Sequence, residues 1–228
     1  MQPMKPPIQL SRFVHRAYTA AMNTADLHPD TVAMLKRRKS HEKAFEDSQK
    51  GRLCAQEAVQ SLTGQCAAIL TGPARQPVWP DGIIGSITHT KGYAAAIAAR
   101  RQQSTLWLKG LGYDAETISA VSLDIIHKIA TPQEQVWIRK ASNPEARLAQ
   151  LFSMKEALFK ALNPETEVAI GFLEIELMPF SHNGKTSAAI IIGMSPRVAA
   201  KVDAPDVWIE SRIEAGLSLA TALWVQGD

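Results

Sequence analysis

Residues 152–162, FSMKEALFKAL, have the apolar content of a buried helix, yet Lys155, Glu156 and Lys160 fall within one and a half turns of it. Glu156 and Lys160 stand in the favourable i,i+4 order, which on a solvated helix edge contributes only ~0.3–0.5 kcal/mol. The other reading is that the helix presents these charges to a ligand. Asp124, in SLDII, is a lone acid after an apolar run. A carboxylate there needs a cation, a metal or an exposed edge, because burial without a partner is costly. If Asp124 and Glu156 converge, two carboxylates form a hard oxygen site suited to Mg²⁺, which keeps waters and phosphate oxygens as further ligands. Thr88-His89-Thr90 supplies an imidazole and two hydroxyls at a predicted turn, either simply exposed or placed to hydrogen-bond a phosphate. Taken together, the carboxylate pair, the histidine turn and the lysine helix point to metal-assisted phosphoryl or pyrophosphate chemistry.

The elements that must position these groups follow from periodicity and punctuation. Apolar residues in 42–62 recur at helical spacing, with Gly64 as a stop. A second helix is predicted from Asn143 as cap and Pro144 as first residue to Leu162, ended by Asn163-Pro164. TGPARQPVWPDG (71–82) is a loop. Strand-like runs include GIIGSITHT, GYAAAIAAR and AVSLDIIHK in the first half. The second half has VAIGFLEIELM, SAAIIIG, VWIESRI and LSLATALWV. Each half thus reads as a helix followed by strands with connections short enough for antiparallel pairing. The expectation is an α+β protein of two similar lobes, residues 1–118 and 119–228.

The 228 residues, 46% hydrophobic and 21% charged, describe a globular chain. No apolar run approaches the ~20 residues of a membrane span, and MQPMKPPIQL lacks the apolar core of a secretory signal. The expected location is therefore cytoplasmic, with no membrane partner. Cys54 and Cys66 lack the spacing of a zinc site. Net charge is only +3, but KRRKSHEK (36–43), Lys50 and Arg52 form a basic cluster. It suits a phosphate-bearing small molecule or an acidic protein patch, and equally a solvated helix face. No interleaved aromatics support nucleic acid.

In order, GRLCAQEAV, RQPVWPDGIIGSITHT, SLDII and FSMKEALFKAL resemble the 4′-phosphopantetheinyl transferases of the surfactin-synthetase and enterobactin-synthase type. The resemblance covers about residues 36–165. Its most specific part is the W/F-x-x-K-E-[AS] helix with a second lysine, here Phe152, Lys155, Glu156, Ala157 and Lys160. It implies a monomer of two pseudo-symmetric α+β lobes, each a helix on a mainly antiparallel sheet. The implied reaction moves phosphopantetheine from coenzyme A to a serine of an apo acyl or peptidyl carrier protein. Mg²⁺ sits on the pyrophosphate, and adenosine 3′,5′-bisphosphate is released.

By position, the resemblance makes Asp124 and Glu156 metal ligands, and gives Lys155 and Lys160 to the pyrophosphate. It places Thr88 and His89 on the phosphates of coenzyme A, Arg52, Lys43 or Arg38 near the 3′-phosphate, and Arg75 by the nucleotide. Glu134, in TPQEQVWI, matches a glutamate proposed as base for the carrier serine; a helix-start acid after Thr131-Pro132 is the plainer reading. Glu156 acting through water, or a water on the metal, would serve equally as base.

The family's pattern around the metal aspartate is G-[IV]-D-[IVL]-E, whereas the stretch aligned here has Ser122 for the glycine and Ile126 for the second acid. Arg139, Lys140 and Arg147 form a candidate docking surface for an acidic carrier. Two other functions fit the same residues: a non-catalytic module that binds coenzyme A or a carrier protein, and a metal-dependent hydrolase of phosphate anhydrides. The carrier's pathway, whether fatty acid, polyketide or siderophore peptide, is not written in the sequence.

Overall fold

The computed structural model describes residues 14–18, 24–37, 42–73, 75–103, 106–166, 169–181, 186–202 and 206–226. Arg38 lies outside the described residues, and Lys43 stands on a described helix while its side chain does not. Two compact units divide at Leu108/Lys109, ten residues before the boundary expected from sequence.

In the first unit, strand β1 (Val14–Tyr18) precedes helices α1 (Pro29–Arg37) and α2 (Glu42–Thr63). A two-strand ribbon, β2 (Leu70–Thr71) with β3 (Pro77–Val78), leads into β4 (Ile83–Thr90) and β5 (Tyr93–Arg100). The antiparallel sheet has the order β1-β5-β4. Helix α2 ends at Gly64, whose φ of 75° is the left-handed stop that glycine adopts without cost. Its face of Cys54, Ala55, Ala58 and Val59 packs on Ala94, Ala96 and Ala98 of β5. A strand of alanines lets a helix approach closely. Burial pushes the Cys54 thiol up to about 12, and its Sγ donates to the Ala94 carbonyl.

A short strand, β6 (Gln102–Gln103), turns into β7 (Leu106–Thr117), a twelve-residue strand that runs into the second unit. There follow α3 (Ile126–Ile129), α4 (Pro132–Arg139), α5 (Pro144–Thr166), β8 (Ile175–Ser181), β9 (Thr186–Met194), α6 (Pro196–Ala199), β10 (Val207–Glu214) and β11 (Leu217–Gln226). Strand order is β7-β11-β10-β9-β8, and the pairs β8–β9, β9–β10 and β10–β11 are antiparallel. Helix α5 lies on this sheet, burying Leu148, Leu151, Met154, Leu158 and Leu162 against Ile175, Leu177, Ile209, Ala220 and Ala222. Each unit is therefore a long helix on an antiparallel sheet, and the chain is α+β as expected.

Several elements differ from expectation: the expected loop 71–82 carries β3, and in the run VAIGFLEIELM residues 172–174 form a 3₁₀ turn before β8 starts at Ile175. Helix α5 begins as predicted, with Asn143 Oδ1 accepting from the Ala146 N–H at 2.9 Å, but continues past Pro164 to Thr166. Proline so near the end forgoes a single helical hydrogen bond, and the Thr166 hydroxyl donates to the Leu162 carbonyl. The run AVSLDIIHK is not a strand: residues 118–120 and 123–125 are 3₁₀ turns, followed by α3. Ser122 is the reason. Its Oγ accepts from the Asp124 N–H at 3.2 Å and donates to Asp124 Oδ2 at 2.9 Å, a local pairing that competes with extended backbone.

Candidate active site

Strand β7, absent from the strand runs read in the sequence, builds the site. Gly110 and Gly112 face α5 so closely that a Cβ would lie 2.0 Å from the Ala161 carbonyl oxygen and 1.7 Å from that of Ala157. Side chains alternate along a strand, so Asp114 and Glu116 share the face of these glycines. On α5, Glu156 and Lys160 are one turn apart, and helical side chains lean toward the N-terminus, which carries them toward the same stretch of β7. Lys160 Nζ donates to Asp114 Oδ1 at 2.7 Å and to the Tyr113 carbonyl at 3.3 Å.

The electrostatics follow from the grouping. Burial raises the Glu116 carboxyl above its ordinary value, the Asp114 and Glu156 charges raise it further, and Lys160 opposes them. Burial likewise raises Glu156, against Lys160 and with Asp114. Asp114, Glu116, Glu156 and Lys160 thus form one coupled set.

Asp124 does not belong to it. The residue sits on an exposed 3₁₀ turn, its carboxylate held by Ser122. Asp114, rather than the expected Asp124, is thus the aspartate that the structure groups with Glu156 and Lys160. The sequence signal was present: Gly112-Tyr113-Asp114-Ala115-Glu116 is G-x-D-x-E with two acids on one strand face. Tyr113 and Ala115 stand where the family pattern has aliphatic residues, and SLDII offers those aliphatics around a different acid, Asp124.

Lys155 and Glu134 pair with each other instead of joining this set. Their side chains are 3% and 0% exposed and meet at 2.7 Å. Lys155 Nζ donates in addition to the carbonyls of Ile129 (3.0 Å) and Phe172 (2.7 Å), so all three ammonium protons are used. Glu134 accepts from the N–H groups of Thr131 (2.7 Å) and Leu177 (2.8 Å) and completes a capping box with Thr131. Burial pulls the Lys155 pKa down and the Glu134 charge opposes that. Both side chains are thus enclosed, with their polar atoms turned to each other and to the backbone. The helix-start reading of Glu134 is the correct one.

Among the first unit's predicted residues, Arg52 is buried on α2 and its Nη2 donates to Thr71 Oγ1 at 2.7 Å. It follows Gly51, where a Cβ would meet Ile87 at 2.6 Å, so helix and strand β4 touch there. Thr88 is buried and His89 exposed, both on the last residues of β4 rather than in the turn, which is Lys91-Gly92. Arg75 is exposed, with φ of 67° and its N–H donating to the Gly72 carbonyl. Of the candidate docking residues, Arg147 lies over the Trp137 ring at 4.4 Å, while Arg139 and Lys140 are exposed.

Hard oxygen donors are what Mg²⁺ takes, and Asp114, Glu116 and Glu156 are such a set. Among the described residues, however, no three His, Cys, Asp or Glu side chains are gathered closely enough to hold a metal ion as they stand. The Lys160 ammonium stands on Asp114 instead. No described helix is long and apolar enough to cross a membrane.

Family models match both units. Residues 30–99 match the 4′-phosphopantetheinyl transferase N-terminal domain, and residues 110–202 the 4′-phosphopantetheinyl transferase superfamily. The second match covers Asp114, Glu116, Glu156 and Lys160. Among curated proteins, the 4′-phosphopantetheinyl transferase Svp of Streptomyces mobaraensis is 32% identical over 144 residues, 62% of this chain and 57% of that one. Npt of Nocardia iowensis is 32% identical over 61% of each chain. PptT of Mycobacterium tuberculosis is 35% identical over 127 residues, 53% of this chain and 52% of that one. The match thus spans between about half and three-fifths of these relatives' length.

Proposed function

The chain belongs to the 4′-phosphopantetheinyl transferase superfamily, and we propose that it transfers 4′-phosphopantetheine from coenzyme A to a serine of an apo acyl or peptidyl carrier protein. The observation that carries this reading is the coupled set of Asp114, Glu116, Glu156 and Lys160 where β7 crosses α5.

In the proposed reaction the serine Oγ attacks the phosphorus bearing the pantetheine. A new P–O bond forms there, the pyrophosphate P–O bond breaks, and adenosine 3′,5′-bisphosphate leaves with the electron pair. The serine proton passes to the carboxylate cluster or to solvent beside it, since Glu134 is enclosed. Asp114, Glu116 and Glu156 would hold Mg²⁺, which when bound supplies charge neutralisation for the pyrophosphate. Lys160, on a flexible and partly exposed stem, is placed to pair with the departing phosphate. Arg52, Arg75, Thr88 and His89 remain the candidates for the nucleotide and its phosphates, on the first unit.

Intact mass of apo carrier proteins after incubation with coenzyme A and Mg²⁺ tests the proposal. The expected result is a gain of one phosphopantetheinyl group on at least one carrier. Free phosphopantetheine released without carrier would identify a hydrolase. Binding of coenzyme A with neither product would identify a non-catalytic module.

A further inference from the structure

We propose that Lys160 is a resident counter-cation of the acidic cluster, holding Asp114 in the metal-free protein and released from it when a divalent cation binds. The inference rests on the metal-site reading above and adds a step to it: the lysine changes partner rather than staying fixed.

Three observations lead there. The ammonium sits 2.7 Å from Asp114 Oδ1, the distance of a strong charge-assisted hydrogen bond. The carboxylates are coupled, yet they are not gathered at metal-binding distances. Strand and helix cannot approach further to gather them, because β7 and α5 are already in contact at Gly110 and Gly112 with no room for even a methyl group. Assembly of a site must therefore come from side-chain movement. A divalent cation bound by Asp114 would face the ammonium across the same carboxylate, and two cations so close repel strongly. Lys160 is the group able to yield: its four-carbon stem is flexible and its side chain is 29% exposed, whereas the Asp114 side chain is 8% exposed on a strand.

The consequence is a coupling between metal and phosphate. An ammonium displaced from Asp114 is left without its anion, and a substrate pyrophosphate can accept it. Metal and anionic substrate then favour each other's binding, and the coupling is reciprocal. With no phosphate present, the lysine keeps metal affinity low.

Titration of the free protein with Mn²⁺, followed by water-proton relaxation, separates the outcomes. Lys160→Gln and Lys160→Met should each bind Mn²⁺ roughly tenfold more tightly than the parent, the scale of one nearby charge removed. Lys160→Arg, which keeps the charge, should show no such gain, and Asp114→Asn should lose binding with or without Lys160. A role confined to packing would not make any variant bind more tightly. In the unaltered protein, the Cε resonance of Lys160 should shift as Mg²⁺ saturates, a readout that needs no Lys160 variant to fold. Equal or weaker Mn²⁺ binding in the folded Gln and Met variants, or an unmoved Lys160 resonance at saturation, overturns the proposal and leaves the metal site standing. No Mn²⁺ binding in any form, Lys160→Gln included, overturns both.

Discussion

Lys155 and Glu156 are neighbours in the chain but point about 100° apart around α5, and that rotation gives them different surroundings. Lys155 turns inward to Glu134 and two carbonyls; Glu156 turns toward β7. A buried pair with every donor used stabilises little against an apolar substitute, but removing one member strands the other. Lys155→Met should therefore lower unfolding free energy by about 3–5 kcal/mol, read from urea denaturation. A loss under 1 kcal/mol would mean that Glu134 finds another partner. Glu156 and Lys160 were legible in the sequence because a carboxylate and an amine amid apolar helix residues need a reason. Lys155 and Glu134, given functional roles only by resemblance, meet each other in the core. Sequence shows that a charge lies near a core, whereas the direction it faces depends on contacts such as Ile129, Phe172 and Leu177, 17 to 26 positions away from Lys155 or reached only through Glu134.

At the scale of elements, the junction of β7 with α5 decides whether a site exists. Glycine serves there as an absence of volume. Gly112→Ala would push a methyl group into the Ala157 carbonyl, 1.7 Å away, and force strand and helix apart. The expected cost is at least about 1–3 kcal/mol, with transfer activity lost more steeply than stability because Asp114 moves away from Lys160 and Glu156. Thermal denaturation beside a transfer assay checks this; unchanged activity in Gly112→Ala would show that the close approach is not needed. Helices α2 and α5 and the antiparallel strands were readable from periodicity and caps. Strand β7 was not, since LWLKGLGYDAET alternates imperfectly and its two glycines weaken the strand signal. Those glycines are the ones that the helix contact requires.

For the whole molecule, two units share one construction, a long helix on an antiparallel sheet, and matches to the two family models fall one on each. The α+β class was legible because each half repeats the same order of helix and strands. The units divide at Leu108/Lys109 rather than near residue 118, within β7, which begins in the first unit beside β6 and runs on into the second beside β11. That strand brings its acids to α5, so Asp114 lies ten residues before the aspartate that the aliphatic pattern favoured. The central claim is that Asp114, and not Asp124, is the metal-site aspartate, and the most direct measurement compares their asparagine variants. Initial rates of phosphopantetheine transfer to one carrier, followed by intact mass, should fall at least ~100-fold in Asp114→Asn and stay within about twofold of the parent in Asp124→Asn. Near-normal transfer in Asp114→Asn, with loss in Asp124→Asn, would contradict the account and return the site to the turn at Ser122.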